Sequence, residues 1–397
     1  MLTRIFGPHN LEMAEDVVQD VLIKALDIWS TEGIPDKPEA WLFRAAKNRA
    51  IDIIRTQRRR KTFATDLTTL LESEYTASVT IEERFSEAEI NDDQLRMMFA
   101  CCHPSIPREG QIALILKTLS GFSVAQVARA FITSPDTIEK RLYRARQSFR
   151  ENNISFDIPQ GQALQNRLDN VLETIYLLFN EAHSASYHDS LVRMDLAADC
   201  IRLCSLLTTN ESTDLPQSNA LLALLYFHSA RLSSRTDENG DLVLMKDQDR
   251  SLWDKELIEC GLYYLNRSAK GDLPSRYHFE AGIAYEHCHA PRYEDTDWKQ
   301  ILACYDLLKQ LAPSPVILLN RAVAVKELEG AERALQEIRA IPGIDYLQNY
   351  YLLHGILGEL HAELKNTEQA KKHFELALKT VVSEAERRLI LRRLEKL

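Results

Sequence analysis

Glycine and proline are scarce, 13 of each in 397 residues, about half the ~12% combined share of average usage. Short-strand sandwiches and barrels need those residues for turns, so the deficit disfavours them and points to helices. Long apolar runs are missing too. Leu221 to Phe227 is among the longest, far short of the ~20 residues that cross a bilayer. The seven cysteines form no CxxC pair, which argues for reduced thiols over a disulfide framework. Glu12, Glu15 and Asp16 precede any long apolar stretch, unlike a secretory signal, so the expected compartment is the cytoplasm. No paired carboxylates, nucleophile arrangement or phosphate-binding glycine loop stands out, and an enzyme is not expected.

What is present is an ordinary globular composition, 45% hydrophobic and 27% charged, which excludes wholesale disorder. The length suggests two or three domains. The formal charge of −10 taken alone argues against nucleic acid, yet its distribution reverses that impression. Residues 41–61 carry eight basic side chains (Arg44, Lys47, Arg49, Arg55, Arg58, Arg59, Arg60, Lys61) against Asp52. Residues 62–95 carry nine acids against Arg84, and residues 96–150 nine basic against three acidic. The remainder, 151–397, is acidic. Two basic modules therefore flank an acidic connector and precede a large acidic C-terminal part.

In the first module a helix beginning near Glu12 places Asp16, Gln19, Asp20 and Asp27 on one side. Val17, Val18, Val21, Leu22, Ala25 and Leu26 form the expected buried stripe. After Gly33, Pro35 and Pro38, the residues Trp41, Leu42, Ala45, Ala46, Ile53 and Ile54 recur at helical spacing with cations between them. The strings Ala14-Glu15-Asp16-Val17-Val18-Gln19-Asp20 and Trp41-Leu42-Phe43-Arg44-Ala45-Ala46-Lys47-Asn48-Arg49-Ala50-Ile51-Asp52 resemble region 2 of bacterial sigma factors of the extracytoplasmic-function type, within the sigma-70 family. The resemblance implies that Asp16, Gln19 and Asp20 bind the β′ clamp helices of RNA polymerase core. It implies that Trp41, Arg44, Lys47, Asn48 and Arg49 meet the −10 promoter element, with Asn48 matching a pocket asparagine for a flipped base. Trp41 is equally readable as a core anchor. The first helix starts later than is usual in that family.

In the second module, residues 122–131 form a short amphipathic helix with Val124, Val127, Ala128 and Phe131 inward. Ser134 as N-cap, Pro135 at the first helical position and Asp136 in the first turn start another. Its buried stripe is Ile138, Leu142, Ala145 and Phe149, leaving Thr137, Lys140, Arg141 and Arg144 outward. Two short helices, the second cationic, suit a helix-turn-helix. The segment resembles sigma region 4, which implies contact with the β flap of polymerase and with the −35 element. Asp136, Thr137, Lys140 and Arg141 would meet base edges or nearby phosphates, and Arg144 and Arg146 the backbone. The family's turn glycine is replaced by Phe131 and Ile132. The connector's acids are interleaved with Phe63, Leu67, Leu70, Leu71, Tyr75, Ile81 and Phe85. The resemblance implies a linker through the polymerase cleft, and short surface helices are the other reading.

Cys101-Cys102-His103 has no second ligand cluster at metal-binding spacing and reads as buried structure. Asp237 to Asp241 fails the EF-hand pattern and reads as a loop packed on the core. His278, His287 and His289 lack HExxH spacing and read as helix-face residues. No metal or other cofactor is expected.

From about residue 160 the chain shows apolar helical stripes. Leu357, Gly358, His361, Ala370, Phe374 and Ala377, with Asn366 at the turn, fit a tetratricopeptide-like pair of helices. Ala322, Val325, Ala334 and Ile338 fit an earlier one. Cys101-Cys102-His103-Pro104, Asp247-Gln248-Asp249-Arg250, Pro313-Ser314-Pro315-Val316 and Leu319-Asn320-Arg321-Ala322-Val323-Ala324-Val325 resemble the sigma subgroup with a tetratricopeptide-like extension, whose repeat groove implies a protein or peptide partner.

The expected architecture is all-α: region 2 over 1–61, an acidic linker over 62–95, region 4 over 96–152 and a helical-repeat domain over 153–397. The expected function is an alternative sigma factor that directs polymerase core to specific promoters. The rival is a helix-turn-helix regulator on a repeat scaffold that binds no polymerase.

Overall fold

The computed structural model describes residues 11–58, 87–130, 133–152, 154, 156–183, 190–271, 273–381 and 384–397. The connector residues 62–86, Phe131 and Ile132 of the turn, and Arg59, Arg60 and Lys61 lie outside them. Seventeen α-helices and no strand occur among the described residues. The chain divides into two compact units, 1–174 and 175–397.

In the first unit, α1 (Leu11–Glu32) and α2 (Pro38–Arg58) pair through a small core of Ala14, Val17, Val21 and Ala50, with Trp41, Leu42 and Ala46 against it. The α1–α2 turn closes at Gly33, whose φ of +84° suits a residue without a side chain. Four helices follow: α3 (Glu87–Cys101), α4 (Arg108–Thr118), α5 (Val124–Ala130) and α6 (Pro135–Glu151). Met98, Phe99, Leu114, Ile115, Ile138 and Phe149 fill their core.

The expected boundaries at 95/96 and 152/153 do not coincide with structural breaks. Helix α3 runs through the first, and Leu95 is already buried. Beyond the second, the start of α7 (Gln162–His183) remains with the first unit. Arg167 donates to the Phe99 carbonyl at 2.5 Å, Asn170 to the Cys102 carbonyl, and Thr174 to Gln111 Oε1 at 3.0 Å. Cys101 and Cys102 are buried there, and burial pushes the Cys101 thiol up to about 12.

The second unit continues through α8 (Ser190–Thr209), α9 (Pro216–Ser229), α10 (Lys255–Ser268), α11 (Arg276–His289), α12 (Trp298–Leu311), α13 (Pro315–Glu329), α14 (Ala331–Arg339), α15 (Tyr351–Glu363), α16 (Thr367–Thr380) and α17 (Glu384–Glu395). Helix α9 packs against α8, α10 and α11, and further along the chain α11 packs on α12, α12 on α13, α13 on α14 and α15 on α16. Helix α9 is apolar nearly all round and is buried from Ser218 to Leu225 and at Phe227, as expected of a central helix. Two pairs share one device. A Cβ on Gly261 would lie 2.6 Å from the Phe227 ring, and one on Gly358 2.6 Å from the Phe374 ring. A ring seated on bare backbone lets α10 close on α9 and α16 on α15. The expected helix-pair positions Ala322, Val325, Ala334, Ile338, Ala370 and Ala377 are all buried.

The irregular segment between α9 and α10 packs as a loop. Asp237 accepts from the amides of Asn239 and Asp241, while Asp241 pairs with Arg388 and Arg392 of α17. The three histidines expected on a helix face all lie on α11 and differ in surroundings. His278 closes a capping box with Ser275, and His287 is half-buried at a helix end that Arg250 closes by bonding the His287 carbonyl.

Candidate nucleic-acid interface

Helix α1 sets up one candidate face. At 100° per residue, Ala14, Val17, Val21 and Ala25 form the buried side. Asp16, Gln19, Asp20 and Asp27 lie opposite and are exposed, as expected. The expected burial of Val18, Leu22 and Leu26 is corrected: they are 43%, 47% and 71% exposed. The α2 contact covers only one side of α1, and these three project from the flank between the core and the acids. Ile23, 60% exposed, lies among the acids. The face is thus a mixed apolar and acidic surface, which the sequence disguised because the apolar stripe is wider than one helix contact.

Helix α2 presents Arg44, Asn48 and Arg49 to solvent. Lys47 does not share that surface: it is only 8% exposed, since its position on the helix turns toward α1. Arg49 reaches across to Asp20, with Nε at 3.0 Å and Nη2 at 2.8 Å from Oδ2. Both side chains are about half exposed, so the pair contributes ~1 kcal/mol or less. It nonetheless couples two residues expected to serve different partners. Trp41 stands half-buried against Trp29, ring centroids 5.5 Å apart and edge to face. Trp29 gave no signal in the sequence beyond lying on the helix before it.

The second candidate face is α6. Ser134 caps it as expected, its Oγ accepting from the Thr137 amide at 3.2 Å, with Pro135 next and Asp136 in the first turn. The buried stripe is Ile138, Leu142, Ala145 and Phe149, as expected from periodicity. Helix α5 has a capping box the sequence reading passed over: the Ser123 amide donates to Gln126 Oε1 at 2.8 Å and the Gln126 amide to Ser123 Oγ at 3.2 Å. The spacing Ser-x-x-Gln was its signal. Asp136, Lys140 and Arg144 are exposed and Thr137 and Arg141 partly so. These five span about 140° of the helix. Asp136 holds Lys140 at 2.7 Å, four residues along.

Arg146 lies on another side of α6, about 160° around from Arg144. Its Nη2 is 2.5 Å from Glu15 Oε2 on α1, with side chains 17% and 23% exposed. Burial pushes the Glu15 carboxyl above its ordinary range, against the opposing pull of Arg146 and Lys117. The region expected to read DNA with its outer stripe is thereby tied to α1 by its other side.

The geometry can bind a polyanion along α6 and α2, and a partner with basic and apolar surface along α1. No group of three potential metal ligands forms among the described residues.

Comparison with known proteins agrees with this geometry. The family description Sigma-70 region 2 matches residues 3–60, and Sigma-70, region 4 matches residues 96–149. A family of unknown function (DUF6596) matches residues 167–269, within the helical C-terminal part. The chain is 37% identical over 379 residues to an uncharacterized protein of Rhizobium meliloti, covering 95% of this chain and 88% of the relative. No solved structure matches. Family members are transcription initiation factors rather than enzymes, with RNA polymerase core and promoter DNA as partners. The two matched regions, in this order and on these two faces, place the chain in the sigma-70 family of sigma factors.

Proposed function

We propose that this sigma factor is of the extracytoplasmic-function type with a tetratricopeptide-like extension, and that it directs polymerase core to a specific set of promoters from the cytoplasm. In this reading α1 docks on the β′ clamp helices through Asp16, Gln19 and Asp20. Ile23, Leu22 and Leu26 add the apolar centre that such interfaces need. Charge complementarity sets orientation and on-rate.

Helix α2 and the loop before it melt and hold the −10 element through Arg44, Asn48 and Arg49. Trp41 stabilises the module from its core edge, and Lys47 contributes little direct contact. Helix α6 enters the major groove at −35 with Asp136, Thr137, Lys140 and Arg141, Arg144 holding phosphate. Region 4 also meets the β flap. The C-terminal domain modulates these activities by binding a peptide or protein.

The observation that carries the reading is the mixed acidic and apolar outer face of α1, left uncovered beside a cationic recognition helix. A plain helix-turn-helix regulator has no use for that face. The test is retention of the full chain on purified core polymerase beside Asp16→Lys and Leu26→Lys variants. Retention of the parent and loss in both variants supports the reading. Equal retention of all three removes α1 as the docking face. If nothing is retained while duplex DNA still binds, the regulator reading takes over.

A further inference from the structure

The C-terminal unit contains buried positive charge that no carboxylate among the described residues pairs with. Arg231, just beyond α9, is 5% exposed. Its Nη2 lies 3.0 Å from His228 Nδ1, and its Nε has no hydrogen-bond partner. Arg250 approaches from the turn before α10, its Cζ 4.8 Å from the centroid of Trp253, while Arg231 Cζ is 5.7 Å from the same ring. Arg250 is committed to backbone. Its Nη1 donates to the carbonyls of His287 at 2.7 Å and Ala290 at 2.5 Å, closing the end of α11. Neither arginine forms an ion pair with a carboxylate among the described residues. Glu294 and Asp295 act on Arg250 only at longer range, and Asp295 is held by Arg292.

Two more polar atoms in this cluster lack partners. Trp253, 3% exposed, leaves Nε1 unbonded, and His287 leaves Nδ1 unbonded. Burial, reinforced by the nearby Arg231 in both cases, by His287 for His228 and by Arg250 for His287, pushes each imidazole down to about 3. Both are neutral at pH 7, so they add no charge to the site. Among the described residues, the one anion-forming group that acts on Arg231 is Cys288. Burial outweighs the arginines and holds its thiol up at about 11, so it too is neutral. A guanidinium does not give up its proton in a protein. A buried water would satisfy a donor but would leave the charge, and buried charge without a counter-charge is strongly unfavourable.

We propose that Arg231, Trp253 and His287 form a binding site for a small oxyanion of the phosphate class, with Arg250 supplying charge from the rim. Arg231 Nε and Trp253 Nε1 donate to its oxygens, and His287 Nδ1, carrying the ring proton, adds a third donor. The site joins the end of α9, the turn before α10 and the end of α11, so its occupancy braces three segments of the C-terminal unit. The inference is independent of the role assigned above to regions 2 and 4.

The test uses the full chain, stripped of bound ions by dialysis, with inorganic phosphate titrated at constant ionic strength against chloride and acetate. Thermal unfolding is followed, with ³¹P spectra of the extract from undialysed protein. The parent midpoint is expected to rise with the logarithm of phosphate concentration, and Arg231→Met to show no phosphate-dependent rise. Removal of an uncompensated buried charge by an apolar side chain of similar length leaves that variant folded. Trp253→Phe keeps the ring, removes one donor and weakens phosphate about tenfold. Free phosphate in the extract identifies the inorganic ion as the natural occupant, and a phosphomonoester signal identifies a phosphorylated metabolite. Equal shifts in parent and Arg231→Met, or no shift beyond the chloride and acetate controls in the parent, overturn the proposal.

Discussion

The Glu15–Arg146 pair makes the sharpest quantitative prediction for the first unit. Its side chains are less than a quarter exposed and the contact is 2.5 Å, between the surface regime of ~0.2–1 kcal/mol and the ~3–5 kcal/mol lost when one partner of a fully buried pair is removed. Desolvation raises the Glu15 carboxyl despite its partner, so part of the attraction is offset, and a coupling of about 1–2 kcal/mol is expected. That is roughly five- to thirtyfold in the local opening equilibrium. The experiment is a double-mutant cycle of Glu15→Ala, Arg146→Ala and both, read by amide hydrogen exchange over α1 and α6 in the full chain. Each single substitution should lower protection in both helices, and the second should add little to the first. Additivity within ~0.3–0.5 kcal/mol would refute the reasoning and mean that the pair does not join the two regions.

Two further outcomes follow from the C-terminal unit. His228 and His287 are pushed down to about 3 and His373 to about 4, so the unfolded chain takes up more protons between those values and ~6.5. Their stabilisation is complete above pH 6.5 and is lost as pH falls toward 4, which calorimetry of the full chain from pH 7 to 4.5 should show as a falling midpoint. The raised Glu15 carboxyl acts in the opposite sense, its contribution being lost as pH rises through its folded pKa. Gly358→Ala drives a methyl to 2.6 Å from the Phe374 ring and should cost about 1–3 kcal/mol in urea unfolding, with partial recovery when Phe374 is shortened to Leu.

Local chemistry was legible in the sequence wherever neighbours along the chain decide the outcome. The cap at Ser134, Pro135 and Asp136 and the stripe from Ile138 to Phe149 depend on one helix and its own turn, and both stand as expected. The burial of α1 was only half legible. Val17 and Val18 are equally apolar, and which of them meets α2 depends on where a second helix lies, as does the withdrawal of Lys47. The Asp20–Arg49 and Glu15–Arg146 contacts join residues 29 and 131 positions apart, and no periodicity reports such partners. The cluster around Arg231 was invisible for the same reason: its members come from three separate stretches of chain, and no spacing in the sequence brings them together.

The position of Glu15 on α1 links the two regions to the proposed polymerase contact. At 100° per residue it lies on the flank that carries Val18, Leu22 and Leu26, so the surface proposed to meet core polymerase and the surface that holds region 4 are adjacent. The competition between them can be weighed. Completing the burial of these three residues, 43%, 47% and 71% exposed, is worth roughly 2–5 kcal/mol at ~1.5–3 kcal/mol per fully buried side chain. The ion pair holds with about 1–2 kcal/mol. A partner that covers the whole flank therefore has enough binding energy to displace Arg146. Named 25 base pairs apart, the −35 and −10 elements lie about 85 Å from each other along a duplex at ~3.4 Å per step, whereas α1, α2 and α6 are only about 33, 32 and 26 Å long at ~1.5 Å per residue, so helices joined at Glu15 fall short of that span. Docking of α1 on the polymerase would thus drive the separation that reading both elements requires, and the Glu15–Arg146 contact sets how much of the docking energy that separation consumes.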